Sequence, residues 1–265
     1  MTRIIANGLG VNVAEIGAPD HPAGPVVLVH GLAGDSLASW YFTLAPRIAP
    51  TGRRVVMYDL RGHGSTETPS SGYRFDDFVT DLAELTDQIS PDAPVTLIGN
   101  SFGAPISFGL AARRPDRVAG VAALDSGLPT TEMFALAGHL RLADRKERFL
   151  RAAESPESVP ANVARRARRI KRLLHETTFE ADLRVSAENP PDPRTFTAIT
   201  QPVLCVFGGE SEARRLVPET SRWLPQARIV VIAGARHSLL FTHTDRVAAE
   251  ISTWLADTSP SSSRR

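Results

Sequence analysis

Residues 95–115 read VTLIGNSFGAPISFGLAARRP, and this stretch decides the fold that the sequence predicts. It starts with the continuous apolar run Val95–Ile98, which is typical of a strand covered on both faces. The letters GNSFG at Gly99–Gly103 fit the pattern G-x-S-x-G, and the helical stretch Ala104–Arg114 follows directly. Strand, sharp turn and helix are the context in which this pattern lifts a serine hydroxyl above the end of a strand. We therefore predict that Ser101 is a nucleophile.

The same alternation of strands and helices continues towards both ends of the chain. Asn7 and Gly8, between two apolar runs, predict a β-hairpin. Apolar residues at steps of three and four predict helices over about 75–89 and 247–255. Further strands are predicted at Val26–Val29, Val55–Tyr58, Val118–Leu124, Val203–Phe207 and Ile229–Ile232. The predicted fold class is α/β, with a mostly parallel sheet of about eight strands and helices on both faces.

The middle of the chain lacks this pattern. Within 128–197 no run is convincing as a strand, and several prolines interrupt the helical stretches. We predict that 128–197 is a helical cap inserted between two strands of the sheet. The core domain then consists of 1–127 and 198–257, and the Ser-rich tail 258–265 is expected to be disordered.

Composition argues against several functional classes. The chain has 265 residues, is 42% hydrophobic and carries a formal net charge of +1, so no global charge points to nucleic acid or a membrane. Its single cysteine, Cys205, excludes an intramolecular disulfide and argues against a cysteine metal site. The N-terminus lacks the apolar region of a signal peptide, and no run approaches the length of a membrane span. We expect a soluble cytoplasmic protein that needs no metal ion or organic cofactor.

The loop after the strand Val26–Val29 supplies a second part of the predicted site. It begins with His30, Gly31 and Leu32. Acyl transfer needs two backbone N–H donors that are in place before negative charge develops on the carbonyl oxygen. We predict that the Leu32 and Phe102 amides form this oxyanion hole. His30 is interpreted as a structural histidine whose hydrogen bonds brace the loop.

These motifs resemble the α/β-hydrolase fold superfamily. The letters that carry the resemblance are HG at 30–31, YDLRGHGS at 58–65 and GNSFG at 99–103. The likeness runs over about 26–128 and 199–255 and does not cover the cap. It implies an α/β-hydrolase fold, and it implies that His63 is structural because its loop lies below the active site in that family.

His237 is the predicted general base. It follows the strand Ile229–Ile232 in a loop that reads GARHS and precedes the C-terminal helix. Such a loop reaches the edge of the sheet where the serine hydroxyl is presented, and the chain order Ser, acid, His is preserved. The resemblance also implies a catalytic histidine here. His243 is the rival, but it lacks the preceding Gly-x-x.

Three residues stay open as the acid that fixes the histidine tautomer and stabilises the imidazolium. The resemblance implies an acid after the strand Val203–Phe207 in most members. There the chain has Ser211, flanked by Glu210 and Glu212. The other known position is the end of the preceding strand, and Asp125 occupies it. We favour Asp125, because an aspartate there is short enough to be held rigidly.

The predicted cap contains one strongly basic stretch. Residues 165–172 read RRARRIKR, with six basic residues in eight positions. The simplest interpretation is a solvated helix surface. The functional alternative is a docking surface for an acidic partner, such as an acyl carrier protein or the phosphates of coenzyme A. Nucleic acid is disfavoured because aromatic residues are not interleaved.

Together these features predict a serine hydrolase that cleaves a carboxylic ester or lactone of a small molecule through an acyl-enzyme. The alternatives are a thioesterase that acts on acyl carrier protein or coenzyme A thioesters, and a ligand-binding protein of this fold with little turnover. Hydrolysis of a carbon–carbon bond and a cofactor-independent haloperoxidase activity also stay open. Ser101 argues against the haloalkane dehalogenases and epoxide hydrolases that the sequence also resembles, since those use an aspartate nucleophile.

Overall fold

The computed structural model describes residues 1–18, 21–32, 34–136 and 159–258. The sheet consists of β1 (Thr2–Ala6), β2 (Leu9–Ile16), β3 (Val26–Val29), β4 (Val55–Tyr58), β5 (Val95–Asn100), β6 (Val118–Leu124), β7 (Val203–Gly208) and β8 (Arg228–Ile232). Its strand order is β1-β2-β4-β3-β5-β6-β7-β8. β2 pairs antiparallel with β1 and β4, and the remaining pairs are parallel. The predicted eight-stranded, mostly parallel sheet is confirmed.

Helices flank the sheet in the described part of the chain. They are α1 (Leu37–Tyr41), α2 (Ala45–Ile48), α3 (Phe75–Ile89), α4 (Gly103–Arg113), α5 (Ala161–His175), α6 (Phe179–Glu188), α7 (Val217–Trp223), α8 (Leu239–Thr242) and α9 (Thr244–Thr258). None of these helices has the length and apolar character that a membrane crossing requires. Thr258, which was assigned to the tail, is instead the last residue of α9, and 259–265 lie outside the described residues.

Burial of both faces explains the continuous apolar strands at the centre of the sheet. All four residues of β3 are buried, and successive side chains point to opposite faces. Val27 and Val29 pack in the core on the side of α3 and α4, whereas Val26 and Leu28 pack on the side of α1, α2 and α9. A strand that alternated polar with apolar residues would leave one of these two cores unfilled.

The described residues of the predicted cap are helical, and they are tied to the core by hydrogen bonds. The Tyr73 amide donates to the Asp182 carboxylate of α6 over 2.9 Å. The Phe75 amide donates to the Ser186 hydroxyl of the same helix, also over 2.9 Å. Both bonds involve the start of α3, so this end of the core holds α6 in place. Residues 137–158 of the predicted cap lie outside the described residues.

Gly103, the second glycine of the G-x-S-x-G pattern, is required by the contact between α4 and β3. A Cβ at Gly103 would stand 1.9 Å from the Val29 carbonyl oxygen, which belongs to a central strand that cannot shift. A Cβ at Gly109 in the same helix would meet only side chains, with Val79 Cγ2 at 2.8 Å. Backbone atoms of a central strand yield less readily than side-chain ends, so the two glycines differ in how well they tolerate an added methyl group.

We therefore expect Gly103→Ala to lower the free energy of unfolding by about 3 kcal/mol, the upper part of the range for overpacking. Gly109→Ala is the matched control in α4 and should cost clearly less, because an alanine in a helix recovers about 0.5–1 kcal/mol. Urea titration of both variants measures the difference. Equal stability of the two variants would contradict the proposed close contact of α4 with β3.

Candidate active site

Ser101 sits at the sharp turn between β5 and α4. Its backbone has φ 53°, in the left-handed region that L-residues rarely adopt. The Ser101 amide donates to the Leu124 carbonyl of β6 over 2.9 Å. A Cβ at Gly99 would lie 2.3 Å from the Gly103 carbonyl oxygen, so the turn closes only with glycine at that position. The turn is held in a strained conformation by the surrounding sheet, which is common where a reactive group must be presented.

The loop after β3 lies directly beside Ser101, as predicted. A Cβ at Gly31 would stand 3.1 Å from Ser101 Cβ, so the backbone of this loop packs against the nucleophile. Within the described residues, neither the Leu32 amide nor the Phe102 amide donates a hydrogen bond to a protein acceptor. Two such N–H groups next to the serine are what a developing oxyanion would require.

Packing holds Phe102 in position. Its ring lies edge-on to Phe78 at 5.5 Å and to Phe75 at 6.4 Å between ring centroids. Phe134, from the described start of the predicted cap, completes the group at 6.5 Å from Phe102. These buried aromatic contacts leave the Phe102 backbone little freedom, so its amide has a fixed direction before any substrate binds.

His237 connects Ser101 to Asp125. Its Nε2 lies 3.0 Å from Ser101 Oγ, and its Nδ1 lies 2.6 Å from Asp125 Oδ2. An ionised carboxylate only accepts hydrogen bonds, so Nδ1 carries the proton and Nε2 presents its lone pair to the serine hydroxyl. The His237 side chain is 22% exposed, whereas that of Asp125 is fully buried.

Asp125 is held by hydrogen bonds from the end of β7, from the loop that follows β7 and from the loop that follows β8. It directly follows β6 with φ 49°, and its side chain is 0% exposed. Its Oδ1 accepts from the Gly208 amide over 2.8 Å, and its Oδ2 accepts from the Ser211 hydroxyl as well as from His237. A buried carboxylate is costly unless such donors surround it, and here three of them do.

The rival residues for acid and base lie elsewhere. Glu210 is 55% exposed and pairs with Arg236 over 3.2 Å. Glu212 is exposed at the start of the 3-10 helix Glu212–Leu216. His243 contacts the Thr242 hydroxyl through Nδ1 at 2.9 Å. Among the candidates weighed from the sequence, the structure therefore brings together Ser101, His237 and Asp125.

His30 and His63 are buried below the site and have structural contacts. His30 Nε2 accepts from the Leu60 amide over 3.0 Å, and its Nδ1 lies 2.6 Å from the Gly31 carbonyl oxygen. His63 donates from Nδ1 to the Arg61 carbonyl over 2.8 Å. Burial lowers the pKa of His63 to about 4, so His63 stays uncharged above that pH. These contacts match the bracing roles predicted for both residues.

Two residues of the site were missed in the sequence. Ser211 was interpreted only as an uncharged substitute for an acid, but its hydroxyl donates to Asp125. Asp35 accepts from the Gly31 amide over 3.0 Å and thereby curls the loop that carries Leu32. The available signals were a polar residue at the usual acid position and an aspartate in a glycine-rich loop, where Asp often bonds to nearby backbone.

Among the described residues, no group of three or more His, Cys, Asp or Glu side chains is arranged to hold a metal ion. The site itself brings together hydroxyl, imidazole, carboxylate and backbone amide groups. Their arrangement supports nucleophilic attack by an activated serine, followed by stabilisation of an oxyanion.

Comparison with known proteins finds a matching family and several relatives. Residues 24–150 match the family described as alpha/beta hydrolase fold. The chain is 36% identical over 118 residues to 2-hydroxy-6-oxo-2,4-heptadienoate hydrolase of Pseudomonas putida. The aligned region is 43% of this chain and 40% of that hydrolase. This chain is also 27% identical over 256 residues to 2-(acetamidomethylene)succinate hydrolase of Mesorhizobium japonicum. That aligned region is 89% of this chain and 87% of the relative.

Solved structures extend the likeness to nearly the whole chain. The enol-lactonase from Burkholderia xenovorans LB400 superposes with a TM-score of 0.71 at 21% identity, over 96% of this chain and 100% of the lactonase. The chain has the α/β-hydrolase fold.

The contacts of Asp125 generate a prediction about the acid. Asp125→Asn should lower kcat strongly, with about 10⁴-fold as the upper guide from Ser-His-Asp proteases, because the imidazole loses the partner that sets its tautomer. Glu210→Gln and Glu212→Gln are the matched controls, and each should change kcat by less than about threefold, as expected of exposed groups away from the site. Steady-state kinetics on an activated ester measure all three.

Ser211 offers a stronger version of the same test. Since its hydroxyl reaches the Asp125 oxygen that contacts His237, a carboxylate at 211 should also reach the imidazole. We expect the double variant Asp125→Ser, Ser211→Asp to recover part of the activity that Asp125→Ser alone loses. Full activity of Asp125→Asn, or a large loss in Glu210→Gln, would show that another residue orients His237.

Proposed function

We propose that the chain is a serine hydrolase that cleaves a carboxylic ester or lactone of a small molecule through an acyl-enzyme. One observation carries this proposal: the continuous hydrogen-bonded series Ser101 Oγ, His237, Asp125, with distances of 3.0 Å and 2.6 Å. Hydrolase activity at the coarser level is supported by two of the relatives, which are hydrolases by name.

In the acylation step, Ser101 Oγ attacks the substrate carbonyl carbon while Nε2 of His237 takes the hydroxyl proton. The carbonyl oxygen becomes an oxyanion, which the Leu32 and Phe102 amides bind. The tetrahedral intermediate then expels the alcohol, and His237 returns the proton to the leaving oxygen. Asp125 stabilises the imidazolium that exists between these two proton transfers.

In the deacylation step, a water molecule takes the place of the alcohol. His237 removes its proton, the resulting hydroxide attacks the acyl carbon, and Ser101 leaves as an alcohol with the proton that His237 returns. A carboxylic acid is released. In a lactone, the leaving alcohol stays attached to the acyl group, so the same two steps open the ring to a hydroxy acid.

A thioesterase is the second candidate, and the surface of α5 favours it. Its apolar residues Ala164, Ala167, Ile170 and Leu173 are buried, and Arg165, Arg168, Lys171 and Arg172 are exposed. A helix with an exposed row of cations fits an acidic carrier protein or the phosphates of coenzyme A. A solvated helix surface has the same row of exposed cations. Activity measurements on thioester substrates are therefore needed to distinguish a docking surface from a solvated surface.

Ser101→Ala should abolish both hydrolysis of p-nitrophenyl acetate and labelling by a fluorophosphonate probe, while the unfolding midpoint stays near wild type. The reason is that the acyl and phosphonyl groups both bond to Ser101 Oγ. Ser221→Ala, at an exposed serine of α7, is the matched control. A panel of acyl esters, lactones and acyl thioesters then ranks the substrate classes.

Activity of Ser101→Ala within tenfold of wild type would contradict the proposed mechanism. Wild-type protein that neither reacts with the probe nor hydrolyses any member of the panel would favour a ligand-binding protein with little turnover.

The rate should rise with pH, because only neutral His237 accepts the serine proton. His63 does not contribute to this rise, since its pKa is about 4. The profile of kcat/KM between pH 5 and 8 measures the effect, and His243→Gln should leave it unchanged. A flat wild-type profile would argue against a histidine base.

If α5 docks an acidic carrier, changing Arg165, Arg168, Arg169 and Arg172 to Gln should lower kcat/KM on acyl carrier protein thioesters and weaken its salt dependence. Activity on p-nitrophenyl acetate should not change, because this small neutral ester needs no docking surface. Unchanged kinetics on the carrier thioester at all salt concentrations would rule out the carrier protein as the partner.

A further inference from the structure

Ser211, on the loop that follows β7, is buried beside the carboxylate of Asp125. Its hydroxyl donates to Asp125 Oδ2, the same oxygen that lies 2.6 Å from His237 Nδ1. The other oxygen, Oδ1, accepts from the Gly208 amide over 2.8 Å. The backbone of Gly208 thus holds one carboxylate oxygen, and the side chain of Ser211 holds the other. The oxygen that faces the imidazole is therefore the one that Ser211 contacts.

A second hydrogen bond sets the direction of the Ser211 hydroxyl. Ser211 is the N-cap residue of the 3-10 helix Glu212–Leu216, and its Oγ accepts from the Ala213 amide over 3.3 Å. A hydroxyl has one proton to donate and two lone pairs with which it accepts. Because the Ala213 N–H is directed at a lone pair of Oγ, the hydroxyl proton stays available for Asp125.

Backbone hydrogen bonds hold the loop that carries Ser211. The Ser211 amide donates to the Gly208 carbonyl over 3.1 Å, which closes a tight turn at the end of β7. The Glu210 amide donates to the Ala235 carbonyl over 2.9 Å, two residues before His237. The loop of Ser211 is thus bound directly to the loop that carries the imidazole. Both donors to the carboxylate oxygen therefore belong to one hydrogen-bonded pair of loops.

We propose that Ser211 is a positioning residue for the reaction, whose hydroxyl holds Asp125 Oδ2 against the imidazole of His237. The imidazole in turn keeps Nε2 directed at Ser101. This inference rests on the proposed hydrolase function and adds a fourth side chain to its hydrogen-bonded series. The role of the acid is then divided between two strands. Asp125, after β6, supplies the charge, and Ser211, after β7, fixes its position.

The first test compares Ser211→Ala with wild type on p-nitrophenyl acetate. We expect kcat to fall about tenfold, the effect of losing one hydrogen bond to a charged group. Acylation and deacylation need the same imidazole, so both steps should slow together and KM should change by less than about twofold. Ser211→Thr keeps a hydroxyl at this position and should recover most of the lost rate.

A double-variant cycle separates this role from a purely structural one. If Ser211 acts through Asp125, Ser211→Ala should have almost no further effect in a protein that already carries Asp125→Ala. A purely structural role predicts the same loss in both backgrounds. The rate of fluorophosphonate labelling measures all four proteins, because it needs only one reaction per molecule.

Asp192→Ala is the matched control for the loss of a helix cap. Asp192 is the N-cap residue of the 3-10 helix Pro193–Ala198, and its carboxylate accepts from the Arg194 amide over 2.9 Å. Asp192→Ala and Ser211→Ala should both lower the unfolding midpoint, because each removes a side-chain cap. Only Ser211→Ala should lower kcat.

Three results would overturn the proposal. In the first, Ser211→Ala keeps kcat within about twofold of wild type. In the second, Ser211→Ala slows labelling by the same factor with and without the carboxylate of Asp125. In the third, Ser211→Thr is as stable as wild type but as slow as Ser211→Ala. Failure of the hydrolase function itself is distinguishable, because wild-type protein would then neither hydrolyse the ester nor react with the probe.

Discussion

The buried carboxylate of Asp125 is the constraint on which the rest of the site depends. A charge without solvent must be surrounded by donors, and these come from the amide of Gly208, the hydroxyl of Ser211 and the ring of His237. Gly208 is the last residue of β7, and Ser211 and His237 stand on the loops that follow β7 and β8. The hydrogen bond to this carboxylate therefore fixes the position and the tautomer of the His237 imidazole. The tautomer in turn directs the Nε2 lone pair at Ser101.

Parallel strands make this convergence possible, because their carboxyl ends meet at a single edge of the sheet. Ser101 directly follows β5. Of the two neighbours of β5, β3 leads into the loop that contains Leu32, and β6 leads into Asp125. Ser101 and Asp125 both have positive φ, and both amides are bound to carbonyls of the next strand. The sheet thus holds two residues in a strained backbone conformation, and both side chains contact His237.

Sequence patterns predicted those parts of this arrangement that depend on local order. The bounds of β3, β4 and β6 agree with their apolar runs, because strands buried on both faces leave an unbroken signal. The choice of Asp125 over Glu210 rested on rigidity at a strand end; in the structure Asp125 contacts His237, and Glu210 pairs with Arg236. The donation from Ser211 to Asp125 left no such signal, since it joins residues distant in the chain through side chains alone.

The central claim is that Ser101 carries the acyl group between two chemical steps. The most direct measurement is the mass of the protein and of its peptides after acid quenching during turnover of p-nitrophenyl acetate. The account predicts one added acetyl group, located on the peptide that contains Ser101, which disappears when the substrate is exhausted. Product release at an undiminished rate from protein that stays unmodified, or an acetyl group on another residue that turns over at the catalytic rate, would contradict it.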